Sequence, residues 1–416
     1  MEIGNRSKSH QTIHFLSPLL SSLLSSTMVI FLLALLAFSS PVFVSSATPT
    51  TAVNGFTPVD NFLFACGAKT SPKTPDGRVF KNDQGTTQHL DTQNDVLVSI
   101  PSADNVSSPI YLSARIFHEH ATYKFTLKQP GWHFVRLHFF PFQNDQFDLA
   151  KATFSVSTDK LTLLHNYRSN NNTQPLQKEY LMNLTEAEFF INFLPMKSSA
   201  AFINAIEVVS APDDLISDSG AALFPVGDFS GLSTFSYQTV YRVNMGGPLV
   251  TPQNDTLQRT WLPDKQYLQD ERLAADVSVP TTVVKYKTGV TPLIAPQTIY
   301  STAAKMAESQ TIQPNFNVTW NFDADPSFSY LVRMHFCDIV SKSLNDLYFN
   351  VYINGKTAVS GLDLSSLTGG LAIPYYKDIV VNATLMSSNQ LVVQIGPMNE
   401  DTGTVNAILN GLEVMK

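Results

Sequence analysis

The sequence predicts an all-β protein built as two tandem jelly-roll β-sandwich domains, and three observations carry that expectation. The chain repeats itself: Val135-Arg136-Leu137-His138-Phe139 returns as Val332-Arg333-Met334-His335-Phe336, and Phe154-Ser155-Val156 returns as Phe349-Asn350-Val351. Asn204-Ala205-Ile206-Glu207-Val208 returns as Asn410-Gly411-Leu412-Glu413-Val414, and Ile110-Tyr111-Leu112-Ser113-Ala114 matches Ile299-Tyr300-Ser301-Thr302-Ala303. The order is kept, and the spacing is too long for a solenoid unit but fits a whole domain. Second, the repeated segments alternate with period two, so that Val135, Leu137 and Phe139 share one strand face while Arg136 and His138 share the other. Third, charged residues make up only 15% of the chain and aromatics reach 11%. Few charges with many Thr, Ser, Asn, Val and Phe describe a β-rich secreted protein.

Taken in order, residues 1–47 read as a secretory leader. Arg6 and Lys8 form a polar start, the run from Met28 to Phe38 is apolar without a break, and Ser45, Ser46 and Ala47 supply a small-residue cleavage site. That run is too short for a spanning helix, which needs ~20 residues. Residues 48–55 form an N-terminal tail and 56–209 the first domain. The Gly-, Ser- and Pro-rich stretch 210–236, opening on Ser210-Ala211-Pro212-Asp213-Asp214, is expected to be a linker, and 237–416 the second domain. Each domain is large enough for its own core. Strands are expected at Trp132 to Phe140, Thr153 to Val156, Phe202 to Val208 and Leu347 to Ile353, with a hairpin turn at Asn354-Gly355. No second apolar stretch approaches spanning length, so the mature chain is expected to be secreted and extracellular.

The cysteines, Cys66 and Cys337, each belong to one copy and lack a twin in the other. They are therefore either two free thiols or an interdomain disulfide, which in an oxidising compartment would close a very long loop. Sequons stand at Asn105, Asn171, Asn183, Asn254, Asn317 and Asn382, expected glycosylation sites near loops.

Chemistry is hard to find. His118-Glu119-His120 places two histidines on one strand face, but no third metal ligand or supporting shell is visible. Arg136 with His138 and Arg333 with His335 recur, as do Glu207 and Glu413; such pairs are expected to be structural ion-pair groups meeting across a sheet. No G-x-S-x-G nucleophile elbow occurs, and converging glycosidase carboxylates are not indicated. The expected function is therefore not enzymatic, and no cofactor is implied. A net charge of −7 argues against nucleic acid as a partner and favours a basic peptide over an anionic polymer.

Phe56-Thr57-Pro58-Val59-Asp60-Asn61 with Cys66-Gly67, then Asp76-Gly77-Arg78-Val79-Phe80 and Ala114-Arg115-Ile116-Phe117, resemble the extracellular region of FERONIA/THESEUS-type plant receptor kinases. Tyr241-Arg242-Val243-Asn244-Met245-Gly246-Gly247, His335-Phe336-Cys337, Val351-Tyr352-Ile353-Asn354-Gly355 and Asn410-Gly411-Leu412-Glu413 follow the same pattern over residues 56–416. The resemblance implies two malectin-like domains that sense secreted peptide signals and cell-wall state. It implies a basic secreted signalling peptide and a glycolipid-anchored co-receptor as partners; on physical grounds the linker acids Asp213, Asp214, Asp218 and Asp228 would add to the attraction for a cationic peptide. It places the chain in the apoplast and cell wall, or at the plasma membrane within a longer receptor, since kinase signatures and a spanning helix are absent here. The alternative reading is a carbohydrate-binding protein attached to pectin or other cell-wall glycans. That requires a local basic patch, for which Arg259, Lys265, Arg272, Lys285 and Lys287 are the candidates. Sugar sites combine stacking rings with polar groups, which makes Tyr111, Tyr123, Tyr300, Glu400 and Asp401 candidate ligand contacts. A purely structural wall protein is disfavoured by the lack of low-complexity repeats.

Overall fold

The apolar face of Gly131–Phe139 makes this strand the spine of the first sandwich. Val135, Leu137 and Phe139 enter a core with Phe117, Phe125, Phe154, Phe193 and Phe202. The strand pairs antiparallel with Leu176–Leu184 on one side and Ala205–Ser210 on the other. Facing this sheet across the core is a five-stranded sheet that includes Ala121–Thr126, Glu188–Pro195 and Thr153–Ser157. The second copy repeats the plan. Tyr330–Phe336 pairs with Tyr375–Val381 and Gly411–Met415. A four-stranded sheet of Val318–Asp323, Gln390–Pro397, Phe349–Ile353 and Lys356–Leu362 covers its core, which holds Trp320, Phe322, Phe336 and Phe349. The expected turn forms at Asn354-Gly355, whose φ angles of 47° and 71° are those a two-residue hairpin turn needs.

The computed structural model describes residues 55–84, 89–104, 106–168, 174–287, 289–308, 315–398 and 404–416. The leader 1–47, the tail as far as Asn54, and Asn105, Asn171, Glu400 and Asp401 lie outside the described residues. Among the described residues no helix is long and apolar enough to cross a membrane.

The stretch 210–236 is more than a linker, which corrects the sequence expectation. Ser219–Ala222 and Gly227–Ser230 form a hairpin, and its first strand runs parallel to Tyr375–Val381 at the edge of the second sandwich. Leu215, Ile216, Leu223 and Leu232 are buried along it, so the segment folds because its apolar side chains have somewhere to go. The sandwiches themselves share a sheet. Leu176–Leu184 pairs antiparallel with Tyr237–Asn244, which merges the principal sheets into one of 12 strands. A further apolar cluster, including Trp132, Phe134, Leu181, Tyr237, Leu331 and Met415, fills the junction. Residues 55–416 thus form one compact unit.

Candidate recognition surface

The polar faces of the spine strands turn out to be buried. Along the merged sheet, neighbouring strands present Asp378, Arg333, Glu413, Arg242, Glu179, Arg136 and Glu207, a row that alternates in sign and crosses from one sandwich to the other. Arg136 donates from Nε to Glu179 at 2.8 Å and from Nη1 to Glu207 at 3.1 Å. Arg242 bridges the sandwiches, bonding Glu413 at 2.8 Å and Glu179 at 2.9 Å. The third arginine of the row, Arg333, takes Asp378 in a two-pronged contact, both bonds 2.7 Å. The sequence expectation that Arg136 meets Glu207 holds, whereas Arg333 bonds Asp378 rather than Glu413.

Beside the row, each copy carries the same relay. Tyr111 hydroxyl and His138 Nδ1 are 2.8 Å apart and His138 Nε2 lies 2.9 Å from Glu207; Tyr300, His335 and Glu413 repeat this at 2.9 and 3.2 Å. Burial would push the Glu179 carboxyl up, but the Arg242 and Arg136 guanidiniums override it and hold it at about 2. Burial likewise pushes the His335 imidazole down, against the pull of Glu413. These groups satisfy one another away from solvent, so the repeated Arg, His and Glu residues are a frame and not a reaction centre.

The predicted contacts fare unevenly. Tyr123 and Tyr300 are each 0% exposed, with hydroxyls committed to Asp83 and His335, so neither is placed to touch a ligand. Tyr111 is half-buried in its relay. These three rings lie in the cores and relays because a ring on an inward strand position buries the largest apolar area. Of the two alternatives for the cysteines the structure has the free thiols: Cys66 and Cys337 are both buried and unbonded, one in the first core and one in a separate cluster with Trp261 and Tyr300. Burial pushes the Cys337 thiol up to about 12. His118 and His120 are exposed at the turn after Ser113–Phe117. The basic residues do not assemble a patch. Arg259 is buried on Asp255, Lys265 pairs with Asp276, Arg272 with Asp270, and Lys287 caps the carbonyls of Thr368 and Gly369. Of the sequons, Asn183 and Asn254 are exposed, while Asn317 and Asn382 are half-buried.

The junction carries exposed acidic and apolar side chains. Asp213, Asp214, Asp218 and Asp228 are all exposed there. A cavity of about 190 Å³ opens between the 219–230 hairpin and the second sandwich, walled by Phe229, Phe235, Tyr237, Tyr330 and Met415. Phe224, Val226 and Phe235 stand out into solvent, Val226 at 81% exposure. The sequence did carry a signal for this feature, since three phenylalanines in a supposed linker are too many for a solvated one.

A doubled β-sandwich joined through one shared sheet is the class of fold that this chain adopts. The Malectin-like domain profile matches residues 64–416, and the chain belongs to that family, alongside receptor-like kinases of the FERONIA/THESEUS type. It is 65% identical over 397 residues to probable receptor-like protein kinase At4g39110 of Arabidopsis thaliana, covering 94% of this chain but 45% of that relative. Receptor-like protein kinase THESEUS 1 from the same plant is 43% identical over 376 residues, covering 90% of this chain and 44% of the relative. The chain thus spans about half the length of the curated relatives it matches. Among solved structures, the complex of plant peptide RALF23 with FER and LLG2 superposes with a TM-score of 0.77 at 29% identity, over 87% of this chain and 96% of the solved one. The matched region is the ectodomain, a non-catalytic module.

Proposed function

We propose that this chain is the extracellular recognition module of a malectin-like receptor, reading a basic secreted signalling peptide together with a glycolipid-anchored co-receptor. The observation that carries the reading is the likeness, over nearly the whole described chain, to a FER ectodomain solved with a peptide and a second protein. The surface chemistry agrees. The exposed acids of 213–228 offer a cationic peptide long-range attraction, which acts mainly on encounter rate. The alternative, attachment to anionic pectin, is weakened because four of its five candidate cations are individually neutralised or capped, which leaves Lys285 as the exposed one. Catalysis by a linked kinase, and residence at the plasma membrane, belong to the longer relatives and are part of this proposal only.

Calorimetric titration tests the reading. The secreted, glycosylated chain is titrated with a basic alkalinisation-factor peptide, with and without co-receptor, at low and physiological salt. Sub-micromolar binding that weakens with salt is expected, since screening over ~8 Å removes much of the attraction. Absence of binding with co-receptor present, combined with binding of pectin fragments, overturns it.

A further inference from the structure

Two surface depressions meet at Ser236, the residue that leads into Tyr237–Asn244. One lies on the first sandwich against Leu161, Leu184 and Phe189, and the other is the cavity walled by Phe229, Phe235 and Tyr330. Each contains a sequon asparagine. Asn183 and Thr185 line the first, and Asn382 lines the second. Asn183 is exposed near the end of Leu176–Leu184, and Asn382 is half-buried just before the turn Ala383–Leu385. Among the described residues neither side-chain amide is engaged in a hydrogen bond, so both are free to carry a modification. The other described sequons differ: Asn254 lines neither depression, and the Asn317 side chain packs against Gly396.

The walls have the chemistry of a sugar cover. Phe235 is 50% exposed and Leu161 41% exposed, an apolar surface that favours being covered. At about 190 Å³ the second depression is smaller than a drug-sized cleft, which starts near ~300 Å³, and suits a single ring. The C–H face of a pyranose stacks on such aromatic walls while its hydroxyls stay in water.

We infer that N-linked N-acetylglucosamine carried on Asn183 and Asn382 packs into this groove, so that glycan covers its apolar walls and leaves the exposed acids of 213–228 to a peptide. The inference rests on the secretory part of the reading above. In the attachment step, Asn Nδ2 bonds to C1 of an oligosaccharide held as a lipid pyrophosphate. The C1–O bond breaks, the lipid pyrophosphate leaves, and the amide releases one proton, with no change of oxidation state. Intramolecular attachment offsets the entropy cost that a free monosaccharide would face, because the linkage supplies a high effective concentration.

The test uses the full chain secreted from a plant cell host. Glycopeptide mass spectrometry reads occupancy at Asn183, Asn382 and Asn254, and hydrogen exchange is then compared before and after enzymatic glycan removal from the folded protein. Occupancy at both groove sites is expected, with exchange of segments 229–237 and 329–331 accelerated about 5-fold on removal. N382Q reproduces this effect, N183Q instead accelerates exchange of 158–161 and 184–189, and N254Q leaves all of these segments unchanged. An unoccupied Asn183 or Asn382, or exchange that ignores glycan removal, overturns the inference. Peptide titration of the same samples separates the claims: a glycan-protected groove in a protein that binds no basic peptide sinks the receptor reading and leaves this one standing.

Discussion

In the first sandwich the Asp83 carboxylate accepts from the Gly67 backbone N–H at 2.9 Å and the Tyr123 hydroxyl at 2.7 Å, and is held by Arg115 at 2.7 Å. In the second, Asp264 accepts from the Gly246 N–H at 3.0 Å and from Trp320 Nε1 at 2.9 Å, but the strand position corresponding to Arg115 is Ala304. Among the described residues no cation bonds Asp264. The two copies therefore keep the same backbone anchor and differ in how its charge is compensated. Burial pushes Asp264 up, and its bonds from Trp320 and Gly246 only partly oppose this.

The shared anchor gives the largest expected effect. Gly67 and Gly246 have φ of +73° and +61°, and a Cβ at either would lie 2.1 Å from the carbonyl oxygen of Ala114 or Ala303. Gly67→Ala and Gly246→Ala should each cost at least ~3 kcal/mol, from backbone clash plus left-handed strain. Chemical denaturation checks whether the two copies respond alike; a mild effect in one would break the correspondence. Next, Arg115→Met removes the buried guanidinium that holds Asp83 and is expected to cost ~3–5 kcal/mol, whereas the second sandwich has alanine at that position.

The pH dependence sharpens the contrast. The raised Asp264 makes the folded state bind more protons than the unfolded one, so its stabilisation is complete below the unfolded value of ~3.9 and is lost as pH rises through the folded value. Glu179, held at about 2, acts oppositely: its stabilisation is present above the unfolded value of ~4.3 and is lost as pH falls towards 2. Urea midpoints between pH 3 and 8 should show the falling limb above pH ~4 flattened in Asp264→Asn and retained in wild type. An unchanged slope would remove Asp264 as its source. The smallest effect concerns the thiols. Native protein should leave both cysteines unreactive to a thiol reagent, and a reductant should not move the melting temperature, because Cys66 and Cys337 are buried and unbonded.

Much of this was legible in the chain. Repetition of His138-Phe139 as His335-Phe336, and of Asn204 as Asn410, located equivalent strands, and Asn354-Gly355 located a hairpin. Period-two alternation says which residues share a face, but not what covers that face. Arg136 and His138 therefore read only as sharing a polar face, and the structure buries that face beneath the loop whose Leu257 carbonyl accepts from Arg136 at 3.1 Å. For the same reason Tyr123 and Tyr300 were offered as sugar contacts: a ring on a strand looks alike from sequence whether it faces core or solvent. The groove at Ser236 depends on residues more than fifty positions apart meeting across two sandwiches, which no local pattern encodes.

The account's central claim is that the shared sheet and the alternating row through Arg242 make the two sandwiches one body. Arg242 ties Glu179 of the first sandwich to Glu413 of the second, and breaking such a buried pair is costly, so the expected mark of the row is cooperative unfolding. Differential scanning calorimetry of the secreted chain tests this directly. The account predicts one transition whose calorimetric and van't Hoff enthalpies agree; two resolved transitions, one for each sandwich, would contradict it.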